Sequence, residues 1–170
     1  CVRGPDGWLG FQEYFVREKT QVEVLEVNYA GANVALPAPG VVEAIASAHA
    51  VIVCPSNPIT SIGPILSVPG IARALEATDA VVLAVSPIVG GQAVSGPAGR
   101  LMAACGFEVS ALGVASAYAP WLDILLVDNQ DRALTRRIEA AGIRTIVTET
   151  VMRGREGEIA LARRALEALA

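Results

Sequence analysis

Two short stretches gather the residues able to hold a ligand. Ser56, Asn57, Thr60 and Ser61 fall within Cys54 to Ser67, and Ser86, Gly90, Gly91 and Gln92 within Ser86 to Gly96. Hydroxyl and amide groups read a base edge or a phosphate oxygen without adding charge, and small residues leave backbone N–H groups approachable. Pro55, Pro58 and Pro64 stiffen the first stretch, which lowers the entropic cost of ordering it around a ligand. Neither stretch carries a general base, and neither matches a dinucleotide or P-loop pattern. Composition therefore leaves two readings open: turn punctuation, or a binding loop.

The remaining chemically capable residues are more isolated. Asp123, Asp128 and Asp131 could together hold magnesium; the preferred reading is that Asp128 caps a helix starting near Gln130 while the others are solvated. His49 has no Ser, Cys or carboxylate partner at a catalytic spacing and is read as structural. Cys1, Cys54 and Cys105 have neither metal-ligand spacing nor an even count, which argues against a zinc site or a disulfide framework. Cys54 is expected to be a small buried residue at a strand end. Trp8, Phe11, Tyr14 and Phe15 could stack on a flat ring, although aromatic residues at helical spacing more often form core or interface.

The elements that must position these groups alternate. Apolar runs at Val51 to Val53, Ala80 to Val85, Ile124 to Val127 and Ile143 to Val147 read as buried strands. Between and after them lie helical patterns: one from Pro39 to near Ala48, one starting at Pro69, one from Pro97 through Cys105 stopped at Gly106, one over Asp128 to Ala141, and an amphipathic one over Glu156 to Ala170. Ser110 to Trp121 is left open, a helix broken at Pro120 being one reading. Gln21 to Tyr29 alternates Val22, Val24 and Val27 with acids, the pattern of a half-buried edge or near-edge strand. Whether Phe11 to Phe15 is a helix or an irregular arm stays open. The fold expected is one α/β domain over residues 1–170, three-layered and Rossmann-like, with a mainly parallel sheet and helices on both faces. Ligand sites in such sheets lie at the carboxyl ends of the strands, where both candidate stretches begin.

Composition narrows the setting. At 53% hydrophobic residues the chain is apolar, but no run reaches the roughly 20 residues needed to span a bilayer, so the excess fits strands buried on both faces. A net charge of −4 with no basic stripe argues against nucleic acid. A reducing cytoplasm is expected. The chain opens on Cys1, and it is expected to be part of a longer polypeptide.

Several of these segments, in order, carry a resemblance. Cys54 to Ile71 (CPSNPITSIGPILSVPGI) and Ala84 to Ala98 (AVSPIVGGQAVSGPA) resemble the 2-phospho-L-lactate transferase and phosphoenolpyruvate transferase family of coenzyme F-420 biosynthesis, the CofD type. Gly10 to Arg17, Gly113 to Tyr118, Leu125 to Asp131 and Thr150-Val151-Met152 extend the match along nearly the whole chain. The resemblance implies transfer of a phospholactyl or phosphoenolpyruvyl group from a GDP-activated donor to the deazaflavin Fo, with magnesium and release of GMP. It makes Ser56, Asn57, Thr60 and Ser61 candidates to grip the guanosine nucleotide, with Ser86, Gly90, Gly91 and Gln92 lining the same crevice toward phosphate or deazaflavin. Twelve Arg against one Lys suggest a GC-rich actinobacterial source and so the enolpyruvyl donor. The family's glycine-rich first turn and metal-binding aspartates have no counterpart here, so the magnesium ligands and catalytic carboxylates are expected outside this chain, which should be inactive alone. A homo-oligomer is expected. The rivals are a nucleotide-sugar-binding regulator of the gluconeogenesis-factor type, whose loop is expected to differ at Ser56-Asn57-Pro58, and a noncatalytic half that exposes apolar surface where a missing part docks.

Overall fold

The computed structural model describes residues 1–170. Turn-forming Pro5-Asp6 joins β1 (Val2–Gly4) to β2 (Gly7–Leu9) in a hairpin, and β3 (Glu26–Val27) pairs antiparallel to the other side of β1. The resulting three-stranded sheet is separate from the main one. The strand expected over Gln21 to Tyr29 is therefore cut to two residues, because β1 is only three residues long and offers no further partner. The alternation was real nonetheless: Val22, Val24 and Val27 all pack against the core. Phe11 to Arg17 is helical, its Glu13–Arg17 portion wound as a wide π-type turn that buries Tyr14 completely.

After α1 (Val41–Ala46) the chain enters β4 (Ala50–Val53), a π-type turn at Pro58–Ile62, α2 (Gly63–Leu66) and α3 (Ile71–Ala77). β5 (Val81–Val85) leads to a small hairpin of β6 (Ile88–Val89) and β7 (Gln92–Ala93), then to α4 (Ala98–Ala104) and α5 (Ala111–Tyr118). β8 (Ile124–Asp128) continues through a 3-10 segment at Asn129–Leu134 into α6 (Thr135–Glu139), and β9 (Arg144–Thr148) into α7 (Gly154–Leu169). Ser110 caps α5 by accepting from Gly113 N at 3.2 Å, which resolves the segment left open by the sequence.

β4, β5, β8 and β9 form one parallel sheet in chain order. Its inner strands are apolar on both faces because both are covered. On one face Val82, Ala84, Leu125 and Val127 join a core with Ile59, Leu75, Leu101, Val114 and Ile138 from the crossover segments. On the other, Leu83, Val85, Ile124, Leu126 and Ile146 meet Leu161 and Ala165, four residues apart on α7, with Ala168 and Leu169 packed at the margin. The α/β architecture with helices on both faces is as expected, but the two layers are unequal. No helix is long and apolar enough to cross a membrane.

Candidate functional site

Parallel pairing of Val53 with Ala84 brings the ends of β4 and β5 to the same edge of the sheet. A cleft of about 440 Å³ opens there, walled by Pro55 to Asn57, Thr60, Ser61, Ser86, Pro87, Val94 to Ala98, Thr150 to Met152, and the rings of Phe11 and Phe15. Ser56, Asn57, Thr60 and Ser61 thus share one wall. The stretch is a loop only as far as its cap at Asn57; Thr60 and Ser61 lie in a helical run, since the π-type turn and α2 follow one another from Pro58 to Leu66.

Asn57 is the reason that run starts where it does. Its Oδ1 accepts from Ile59 N at 2.9 Å and Thr60 N at 3.2 Å, and its carbonyl accepts from Ser61 N and Ile62 N. Pro58 follows at the first helical position, where its missing N–H costs nothing. With the oxygen used in capping, only the amide nitrogen of Asn57 is left to donate to a ligand. The run is pinned from outside by Tyr29, whose hydroxyl donates to Ile59 O at 2.5 Å. Burial pushes the Tyr29 phenol up to about 12, with Cys105 adding to the shift, so it remains a donor at any physiological pH. The close approach requires Gly63, because a Cβ there would run into the Tyr29 hydroxyl.

The second group of candidates divides. Ser86 lines the cleft but is buried, and its hydroxyl both donates to Ile88 O at 2.9 Å and accepts from Ile88 N at 3.2 Å. It turns the chain out of β5. Gly90, Gly91 and Gln92 are not among the cleft walls: Gly90 and Gly91 form the tip of the β6–β7 hairpin at φ 58° and 76°, with Gln92 paired to Val89. A two-residue hairpin of this kind needs positive φ at both central positions, which is why glycines stand there. The Ser95-Gly96-Pro97 segment beyond the hairpin supplies the wall instead.

The three aspartates take separate structural jobs. Asp128 Oδ1 caps the 3-10 segment by accepting from Gln130 N at 3.1 Å, and Oδ2 accepts from Thr150 N at 3.0 Å and Thr150 Oγ1 at 3.2 Å. Burial works against its charge, but the bonds from Thr150 and Gln130 outweigh that and hold its pKa below the usual carboxylate value. Asp131 is also buried, not solvated, and accepts from Gly90 N. Burial, reinforced by neighbouring Asp128, raises its pKa although the Gly90 bond opposes the change. Asp123 accepts from Val82 N at 2.8 Å, stitching β8 to β5. Cys54 is exposed rather than buried, because β4 is an edge strand with no neighbour over that end. His49 is exposed and outside the cleft.

The aromatic residues separate as well. Tyr14 is core, while Phe11 and Phe15 stack at 5.7 Å between centroids, 21° apart, beside the cleft; Trp8 lies under Arg3 instead. Thr150 enters the site through Asp128, and no local pattern in the sequence signals that connection across 22 residues.

A sequence profile described as 2-phospho-L-lactate transferase CofD matches residues 1–161. The chain is 43% identical over 166 residues to the 2-phospho-L-lactate transferase of Methanocaldococcus jannaschii, covering 98% of this chain and 52% of that protein. It is 43% identical to the corresponding protein of Methanococcoides burtonii, covering 91% of this chain and 50% of that one. It is 44% identical over 160 residues to the phosphoenolpyruvate transferase of Streptomyces griseus, covering 94% and 50%. The chain thus spans about half the length of the curated relatives it matches. Among solved structures, a upf0052 family protein of Bacillus halodurans, BH3568, superposes with a TM-score of 0.60 at 18% identity over 95% of this chain and 56% of that one, a likeness of fold. With the profile covering nearly every residue described above, the cleft included, the chain belongs to the 2-phospho-L-lactate transferase CofD family.

Proposed function

We propose that this chain forms the nucleotide-gripping half of a transferase that moves a phosphoenolpyruvyl group from a GDP-activated donor to the hydroxyl of a deazaflavin acceptor, releasing GMP in the cytoplasm. The observation that carries the proposal is the cleft at the ends of β4 and β5, where Ser56, the Asn57 amide, Thr60 and Ser61 share one wall and the Phe11–Phe15 pair stands beside it. Uncharged donors on a prearranged helix suit a base edge or phosphate oxygens, and exposed aromatic faces suit a planar ring system. The similarity to phospholactate transferases and to a phosphoenolpyruvate transferase is equal within a percent, so the choice of donor rests on the Arg-rich composition.

Within such a reaction this chain's residues bind and orient. The cleft walls include no carboxylate and no histidine, and therefore no general base. Magnesium, which would offset phosphate charge, is usually held through carboxylates, and the walls of this cleft do not fit that requirement. We therefore assign the magnesium ligands and the proton acceptor to residues outside this chain. Calorimetric titration with GDP and with UDP-N-acetylglucosamine tests the reading. The expected result is measurable binding of GDP and weaker binding of the uridine sugar; the reverse order favours a nucleotide-sugar-binding regulator and overturns the assignment.

A further inference from the structure

β8 lies between β5 and β9, yet it is the one strand of the parallel sheet whose exit sends no residue to the cleft. Its exit residues reach sideways instead. Asp128, the last residue of β8, accepts from Thr150 N at 3.0 Å and Thr150 Oγ1 at 3.2 Å, where the chain leaves β9 for the Thr150 to Met152 wall. Three residues on, Asp131 accepts from Gly90 N with both oxygens, at 3.2 and 3.1 Å, at the tip of the hairpin that precedes the Val94 to Ala98 wall. Gln130 packs over the same tip, so closely that a Cβ at Gly90 would run into its Oε1. Both carboxylates are almost wholly buried, with 3% and 4% exposed, and neither forms a salt bridge. Two buried like charges three residues apart are a poor way to stabilise a fold. What they do well is fix geometry, since a carboxylate that accepts backbone N–H groups holds those peptides in place.

We propose that Asp128 and Asp131 are positioning residues of the cleft: from the buried exit of β8 they brace the Thr150 wall on one side and the β6–β7 hairpin on the other, and so set the shape the ligand meets. Neither touches the ligand. Asp128 acts through Thr150 and Asp131 through Gly90, so Gly90, which is not a cleft wall, serves the site at one remove. The Ser56 to Ser61 wall has its own anchor in the Tyr29 bond to Ile59 O, so the brace and that clamp act on different walls. The brace stands on geometry alone; that it serves a guanosine nucleotide rests on the function proposed above.

Calorimetric titration of GDP into the 170-residue chain and its variants, beside thermal melts, tests this. Asp131→Ala frees the Gly90 N–H, and Thr150→Val removes only the hydroxyl bond to Asp128; each is expected to weaken GDP binding about threefold or more. Asp131→Asn still accepts from Gly90 and Thr150→Ser still donates to Asp128, so both should bind as the wild type does. Thr78→Val controls for lost stability, because Thr78 bonds Ile45 O and Ala80 N away from the cleft; it should lower the melt and leave affinity unchanged. A loss in Asp131→Ala and Thr150→Val no greater than in Thr78→Val, or matched by the Asn and Ser variants, overturns the proposal. Amide exchange gives a second readout that needs no ligand. The amides of Val94 and of residue 150 should exchange faster in Asp131→Ala and in Thr150→Val respectively, while that of Ser61 stays unchanged. If the wild type does not bind GDP, the nucleotide reading fails and exchange alone decides: faster exchange at those two amides upholds the brace, and unchanged exchange overturns it.

Discussion

Asn57 does two jobs with one side chain, and they can be separated. Asn57→Ala removes the cap and the amide together; the expected losses are about 1 kcal/mol of stability and about 1 to 3 kcal/mol of guanosine nucleotide binding. Asn57→Asp keeps an oxygen for the Ile59 and Thr60 N–H groups but replaces the amide donor with a negative charge, so it should melt like the wild type yet bind guanosine nucleotide no better than the Ala variant. Calorimetry beside thermal melts reads both, and unchanged affinity in both variants removes Asn57 from the site. The buried aspartates give opposite responses to pH. Asp128 has a lowered pKa, so its contribution is complete above the ordinary carboxylate value of about 4 and fades as pH falls through its lower native value. Asp128→Ala should therefore cost about 1 to 3 kcal/mol at neutral pH and less in acid. Asp131 has a raised pKa, so its charge costs stability as pH rises through the native value. Asp131→Asn can still accept from Gly90 and should stabilise at neutral pH, with the gain vanishing in acid; thermal melts across pH check both signs.

At the scale of elements, the Pro58 to Leu66 run controls the shape of the cleft and depends on one small residue. Gly63→Ala is expected to cost about 1 to 3 kcal/mol, because the added methyl must displace Tyr29 or the helix. A thermal melt measures this, and an unchanged midpoint would show that the Tyr29 clamp is dispensable. This run also shows where the sequence misleads. Pro58, Gly63 and Pro64 read as loop punctuation, yet Pro58 opens the turn and Gly63-Pro64 start α2, positions where neither residue interrupts a needed bond. The four main strands were legible because each is an unbroken apolar run, which both-face burial requires. Of the cleft, the Ser56 to Ser61 wall was legible by composition. Phe11 and Ser95 stood among the candidates without any sign of which would reach the cleft, and the Thr150 wall was not legible from residue pattern, since Asp128 brings it in across 22 residues.

At the scale of the molecule, the unequal layers follow from the order of the sheet. Stepping from β4 to β5, β8 and β9 in one direction sends every crossover to one face and leaves the other to α7. That same order has a kinetic consequence. Each strand adds to the strand made just before it, so the sheet can grow as the chain leaves the ribosome, without waiting for a distant partner. Only the α7 layer must wait, because its anchors Leu161 and Ala165 are the last of the core residues to be made. Pulse-labelled exchange on ribosome-bound chains stalled before Leu161 has emerged should accordingly find β5 and β8 already protected. Until α7 docks, the apolar row from Leu83 to Ile146 is bare on that face, which makes the last sixteen-residue helix the step at which a nascent chain is most prone to stick to its neighbours.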